Sequence, residues 1–155
     1  MTTNVYSEKY NFIIQSVAAI TNNVDYNISN MANIAAILWE NMDNINWAGF
    51  YIMRNGELQL GPFQGKVACT RIALGKGVCG TAAASDETQL VTDVHKFPGH
   101  IACDSASNSE IVIPIHHAGA VWGVLDIDSP ILARFDAHDS AALERIVHIF
   151  ESRLK

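Results

Sequence analysis

Hydrophobic spacing divides the chain into helical ends and a strand-rich middle. Two runs near the N-terminus and one at the C-terminus repeat apolar residues every three or four positions, which predicts three amphipathic helices. Asp25 or Asn27 is the expected N-cap of the second helix, and Asp136 or Asp139 that of the last. The apolar positions are Tyr6, Tyr10, Ile13, Ile14 and Val17; Met31, Ile34, Ala35 and Leu38; and Ala137, Ala141, Leu143, Ile146, Val147, Phe150 and Leu154.

The middle of the chain contains short apolar runs separated by turn signals. Residues 47–53 are aromatic and apolar, Asn55-Gly56 is a strong hairpin signal, and Leu58 and Leu60 then alternate with polar neighbours. Further strands are predicted over residues 66–72, 89–94, 110–116 and 120–127, with a turn at 117–119 and a small helix near 81–84.

Consecutive hairpins between terminal helices predict an α+β fold with a central, mainly antiparallel sheet of about six strands. The 155 residues contain no repeat, linker or low-complexity tract, so a single domain over residues 1–155 is expected. Helices on one face of such a sheet and loops on the other leave room for a small-ligand pocket.

Charge and composition exclude several classes of partner. The formal net charge is −6, the hydrophobic fraction is 49%, and no basic patch occurs, which argues against nucleic-acid or anionic-membrane binding. The apolar runs are too short to span a bilayer, and the N-terminus does not resemble a secretory signal. A cytoplasmic protein is therefore expected.

The three cysteines, Cys69, Cys79 and Cys103, are an odd number in a chain without an export signal. A structural disulfide framework is therefore unexpected, and a reducing compartment is the default. Cys103 stands between Ala102 and Asp104, shortly after the turn signal Pro98-Gly99. That setting is unusual for a buried structural cysteine, so a functional thiol is a hypothesis worth testing.

Two motifs favour structural interpretations. The segment Gly75-Lys76-Gly77-Val78-Cys79-Gly80 matches G-x-G-x-x-G, but dinucleotide binding requires a parallel βαβ unit, and hairpins surround this segment. A glycine-rich turn leading into a short helix is the prediction. The cysteines and histidines lack the close ligand pairs of structural zinc sites, so no metal site is expected.

The predicted last hairpin brings three carboxylates to one end. Asp126 and Asp128 lie two residues apart and point to the same face of a strand, and antiparallel pairing places Glu110 beside them. Solvated strand ends with a turn at Asp128-Ser129-Pro130 are one interpretation. The other is a site for an ammonium group, with one carboxyl of raised pKa able to donate a proton.

Trp47 and Tyr51 lie four residues apart on one predicted strand and therefore share a face. Core packing explains such a pair, and so does a pocket wall that receives a methyl or thioether group.

Four segments give the chain a specific family resemblance. LGPFQGKVACTRI, GKGVCGTA, TDVHKFPGHIACDSASNSEIVIPI and GVLDIDSP resemble the free methionine-(R)-sulfoxide reductases, which are built on a single GAF domain. The resemblance covers residues 47–150 and includes the order and spacing of the three cysteines. It implies a GAF fold, free methionine-(R)-sulfoxide as substrate, no bound cofactor or metal, and a thioredoxin-like dithiol as external reductant.

The resemblance also implies roles for particular residues. Cys103 would be the catalytic nucleophile, Cys69 the main resolving cysteine, and Cys79 either an auxiliary partner in disulfide exchange or a buried thiol. Glu110 and Asp128 would polarise or protonate the sulfoxide oxygen, and Asp126 would hold the substrate ammonium. The remaining expected substrate contacts are the aromatic wall of Trp47 and Tyr51 and backbone N–H groups near Ile101, Ala102 and Cys103.

Two alternatives from other classes stay open at this point. A non-enzymatic GAF sensor would bind a small molecule without chemistry, and a cysteine redox switch would use the disulfide without a substrate. Neither requires three cysteines beside a carboxylate cluster and an aromatic pair. A homodimer through the terminal helices is also expected.

Overall fold

A computed structural model describes residues 2–100 and 105–155 of the chain. Their elements follow in the order α1 (Thr2–Ile20), α2 (Asn27–Asn41), β1 (Trp47–Arg54), β2 (Glu57–Gly65), β3 (Arg71–Ala73), α3 (Gly77–Ser85), β4 (Gln89–Val91), a 3-10 turn (Val94–Lys96), β5 (Ser109–His117), β6 (Ala120–Ser129) and α4 (Ala137–Glu151).

The strands of the described residues form one sheet in the order β3-β2-β1-β6-β5-β4, and every pairing is antiparallel. The α+β prediction is therefore confirmed. The β1–β2 hairpin turns at Asn55 and Gly56, whose φ angles are 54° and 79°, as a two-residue hairpin turn requires. None of the helices described is long and apolar enough to cross a membrane.

The sheet separates two hydrophobic clusters. Helices α1, α2 and α4 pack on one face, where alternate strand residues such as Phe50, Ile111 and Leu125 are buried against them. Helix α3 covers the other face and buries Val78 and Ala82 against it. Because successive side chains of a strand point to opposite faces, one set is buried in the main core and the other set is available to form a site.

Four local predictions need correction. The predicted strand over residues 66–72 is only Arg71–Ala73, because β2 continues to Gly65 and a loop precedes β3. Neither Asp25 nor Asn27 caps α2; the N-cap is Tyr26, which makes no side-chain cap hydrogen bond. The small helix near 81–84 is longer and begins at Gly77, while the strand at 89–94 ends at Val91 and a 3-10 turn follows.

The G-x-G-x-x-G segment forms the turn and helix start that the sequence predicts. Gly75 has a φ of +77°, and its N–H donates to the Gly80 carbonyl at 2.8 Å. A Cβ on Gly80 would lie 2.4 Å from the Ala73 carbonyl oxygen, so a larger residue cannot take this position without a backbone shift. The glycines therefore serve close packing between β3 and α3.

Candidate active site

A pocket with an empty volume of about 520 Å³, mouth included, lies on the face of the sheet that α3 covers. It brings together most of the residues that the sequence singled out. Its described lining comprises Trp47, Tyr51, Val67, Ala68, Ile72, Lys76, Gly77, Val78, Cys79, His100, Ser107, Glu110, Asp126 and Asp128.

Strand register fixes the carboxylates of this pocket. Glu110 of β5 is the cross-strand partner of Asp128 on β6, and Asp128 in turn pairs with Trp47 on β1. Asp126 lies two residues before Asp128 on β6, opposite Gly49. Because side chains alternate, all three carboxylates point to the α3 face, as predicted.

The carboxylates are buried as well as clustered. Glu110 is 6% exposed and Asp126 5% exposed, so their charged forms lose most of their hydration. Burial, followed by the charges of Asp126 and Asp128, raises the pKa of Glu110 well above its ordinary value. Burial also raises the pKa of Asp126 to about 6. Both shifts favour the protonated form of these carboxyl groups, as a general acid requires.

Cys79 lies on the first turn of α3 and points at the carboxylates. Its Sγ is 3.9 Å from Glu110 Oε1, and it is a free, buried thiol. Burial and the negative charges of Asp126 and Glu110 raise its pKa well above the ordinary value. This environment disfavours the thiolate, so Cys79 is poorly suited to be the attacking nucleophile.

Aromatic rings form the wall of the pocket. Trp47 stacks with Tyr51, with ring centroids 5.8 Å apart, and with Phe63, with centroids 5.1 Å apart. The Tyr51 hydroxyl donates a hydrogen bond of 2.9 Å to the Cys69 carbonyl, and Trp47 Nε1 donates to the Lys66 carbonyl at 3.1 Å. The same two rings therefore line the pocket and hold the loop that carries Cys69.

The cysteines differ in state. Cys69 is disulfide-bonded, whereas Cys79 is free. Cys103, Ile101 and Ala102 lie outside the described residues, so their predicted roles stay predictions.

Sequence reasoning missed several residues that complete the pocket. Lys76 and Gly77 line the pocket at the start of α3, so the positive end of this helix dipole lies at the edge of the pocket. The G-x-G-x-x-G segment was the available signal, since it predicted that a helix begins there. Ser107 is buried and accepts a hydrogen bond of 3.1 Å from Asn46 Nδ2. The signal for Ser107 in the sequence was its position three residues before Glu110.

Comparison with known proteins agrees with this fold. The model of the GAF domain family matches residues 27–154. The free methionine-R-sulfoxide reductase of Escherichia coli (strain K12) is 51% identical over 127 residues, which are 82% of this chain and 77% of that protein.

Two solved structures with bound substrate are also similar. The structure of fRMsr of Staphylococcus aureus in complex with substrate has a TM-score of 0.90 and 49% identity, covering 94% of this chain and 95% of that one. The free methionine-R-sulfoxide reductase from Neisseria meningitidis, in complex with its substrate, has a TM-score of 0.90 and 43% identity, covering 93% and 87%.

The sheet order, the helix placement and the match over residues 27–154 define a GAF domain protein. At this level of identity and coverage, the chain belongs to the family of free methionine-R-sulfoxide reductases.

Proposed function

We propose that this protein is an enzyme that reduces free L-methionine-(R)-sulfoxide to L-methionine. The observation that carries the proposal is the pocket in which buried Glu110 and Asp126 face the stacked Trp47 and Tyr51 rings. A zwitterionic amino acid with a methyl-sulfinyl end needs both parts: carboxylates for its ammonium group and an apolar wall for its methyl group.

The proposed reaction transfers oxygen from sulfur to sulfur. The Cys103 thiolate attacks the sulfoxide sulfur, and a carboxyl proton goes to the oxygen. The hydroxyl group then bonds to the Cys103 sulfur as the S–O bond of the substrate and the transient S–S bond break. Methionine leaves reduced by two electrons, and Cys103 becomes a sulfenic acid. The Cys69 thiol then attacks the sulfenic sulfur, water leaves, and a disulfide forms, which an external thioredoxin-like dithiol reduces.

The described residues support this division of labour. Glu110 and Asp128 are proposed to polarise or protonate the sulfoxide oxygen, because Glu110 is buried beside two other carboxylates, which raises its pKa and favours its protonated form. Asp126 is proposed to hold the substrate ammonium. The disulfide at Cys69 and the free, deeply buried thiol of Cys79 support Cys69 as the resolving cysteine.

Cysteine variants test the reaction sequence. Cys103→Ser should abolish methionine formation, whereas Cys69→Ser should release about one methionine per subunit in a single turnover and then recycle poorly with thioredoxin. The measurement is methionine released per subunit, with and without reductant, by quenched flow and chromatography. Full turnover by Cys103→Ser would overturn the mechanism, and normal thioredoxin-dependent turnover by Cys69→Ser would overturn the resolving role.

Cys79→Ser is the matched third variant. If Cys79 is only an auxiliary partner or a buried thiol, this variant should still form methionine in the first turnover.

A reducing compartment such as the cytosol is proposed with this cycle, since the cycle consumes a dithiol in every turnover.

A further inference from the structure

The Cys79 thiol has no defined step in the proposed reaction, yet it sits at the centre of the carboxylate cluster. Its sulfur, a Glu110 oxygen and an Asp126 oxygen all lie within 4.8 Å of one another, and all three residues are buried. Protons on the thiol and the carboxyl groups allow this close approach, and a cation could replace those protons.

One atom of this cluster lacks a partner. Asp126 Oδ1 is buried and has no hydrogen-bond partner among the described residues, and the whole residue is only 5% exposed. A buried carboxylate oxygen without a partner costs about 1–3 kcal/mol or more, so it is ready to accept a ligand. What it accepts must be a donor or a cation small enough to enter the pocket.

The donor set fits one class of cation. One thiolate and two carboxylate oxygens match the mixed sulfur and oxygen ligands of zinc, with Zn–S near ~2.3 Å and Zn–O near ~2.0–2.2 Å. Ligand atoms in a tetrahedral site are then roughly 3.5 Å apart, and the Cys79 to Glu110 separation is 3.9 Å. Three protein ligands also leave a fourth position for water.

We propose that Cys79, Glu110 and Asp126 form a binding site for zinc and similar borderline-soft divalent cations, and that an ion bound there blocks the pocket. On binding, the thiol and any protonated carboxyl group of the site give their protons to solvent, and the metal–sulfur and metal–oxygen bonds form; no oxidation or reduction takes place. The ion occupies the carboxylates that are proposed to receive the substrate ammonium. That blocking effect rests on the proposed function, whereas binding of the ion does not.

Titration with the metal alone tests the site. Cobalt chloride added to the wild-type protein, kept reduced with a phosphine that does not bind metals, should produce a sulfur-to-cobalt charge-transfer absorption. Zinc chloride should displace the cobalt and remove this band. No sulfoxide is present, so a negative result here is separate from a failure of the proposed activity. Absence of the band in folded wild-type protein would overturn the site.

Variants identify the ligands. Cys79→Ser should lose the band and lose affinity for zinc by more than the roughly 10–100-fold that removal of an outer-shell partner costs. Cys69→Ser and Cys103→Ser, the matched thiol controls, should keep the band. A band that persists in Cys79→Ser, or disappears in Cys103→Ser alone, would overturn the assignment.

A second substitution covers the case in which Cys79→Ser does not fold. Asp126→Asn keeps the thiol but replaces a charged ligand, so the band should persist while zinc affinity falls at least about 10-fold. Circular dichroism confirms that the variant is folded. An unchanged zinc affinity in folded Asp126→Asn would contradict the proposed site.

Discussion

Glu110 illustrates how a single side chain acquires a chemical role from its surroundings. Its strand position places it opposite Asp128 and on the pocket face, and burial raises its pKa. A carboxyl group of raised pKa is protonated to a larger extent and can donate a proton to a sulfoxide oxygen, which an exposed glutamate could not do efficiently.

Replacing Glu110 with glutamine should therefore slow the chemical step. Glu110→Gln removes the proton donor while keeping the shape, and a positioned acid contributes roughly 10²–10⁴-fold. The measurement is the single-turnover rate of sulfenic acid formation. Glu87→Gln, on the exposed loop after α3, is the control and should react at the wild-type rate. An unchanged rate in Glu110→Gln would remove this residue from the chemistry.

Asp126 should make stability depend on pH. Burial raises its pKa from the ordinary 3.8 to about 6. A raised folded-state pKa means that the stabilisation is fully present below the unfolded pKa and is lost as pH rises through the folded value. Asp126→Asn cannot ionise, so its free energy of unfolding relative to wild type should rise by about 1–3 kcal/mol between pH 4.5 and pH 7.5.

Urea denaturation at the two pH values measures this difference. Asp25→Asn, on the surface between α1 and α2, is the control and should show little pH-dependent change relative to wild type. If Asp126→Asn and Asp25→Asn shift equally between the two pH values, Asp126 is not the buried titrating group.

The convergence of the carboxylates was predictable only in part, because the hairpin contains an irregularity. The turn at Ala118 and Gly119 alone would place Glu110 opposite Ile127, and a register shift between Ile115 and His116 brings it opposite Asp128. The approach of Cys79 to Glu110 was not predictable in this way. It depends on how α3 packs on the sheet, a contact between residues 31 positions apart.

Helix α4 depends on a buried carboxylate at its N-terminal end. Asp136 is the N-cap and forms a capping box with Asp139, as the sequence predicted for one of these two residues. Asp139 is fully buried and also accepts hydrogen bonds of 2.5 Å from the Tyr6 and Tyr10 hydroxyls. Arg134 Nη1 lies 3.3 Å from the same carboxylate. The capping group of α4 therefore joins α1 to the rest of the domain.

Removing the Asp139 charge should destabilise this junction. Although burial acts to raise its pKa, hydrogen bonds from Tyr10 and Tyr6 hold the pKa of Asp139 below its ordinary value. Asp139→Asn leaves the Arg134 charge half-buried without its partner, at a cost of about 3 kcal/mol in the free energy of unfolding. Thermal and urea unfolding at pH 7 measure the loss.

The neighbouring cap provides the comparison. Asp136→Asn keeps a good N-cap residue, so it should cost less than about 1 kcal/mol. Equal losses in the two variants would show that Asp139 acts only through helix capping and not through its contacts with α1.

Strand boundaries were predicted less well for the segment at residues 66–72, part of which lines the pocket. The run at 66–72 looks like a strand, but Val67 is 87% exposed and Ala68 lines the pocket. Hydrogen bonds from Trp47 and Tyr51 to the carbonyls of Lys66 and Cys69 hold the segment as a loop. Such long-range bonds are not visible in local hydrophobic spacing.

At the scale of the whole molecule, the sheet gives each of its faces a different task. The face under α1, α2 and α4 holds the main core, and the face under α3 holds the pocket. The main core and the pocket therefore lie on opposite sides of one layer of strands. The alternation of strand side chains that predicts the fold also determines which residues face the pocket. The homodimer stays a prediction, for which the exposed Phe12 and Ile20 of α1 are a candidate surface.

The central claim is that this pocket reduces free methionine-(R)-sulfoxide. The most direct measurement is methionine formation by the pure wild-type protein with a dithiol reductant, compared for free (R)-sulfoxide, free (S)-sulfoxide and a peptide-bound (R)-sulfoxide. The carboxylates are proposed to bind a free ammonium group, which the peptide-bound sulfoxide lacks, and the family relationship favours the (R) epimer. Only the free (R) epimer should therefore be consumed at a substantial rate. Equal consumption of the peptide-bound sulfoxide, or no consumption of the free (R) epimer, would contradict the account.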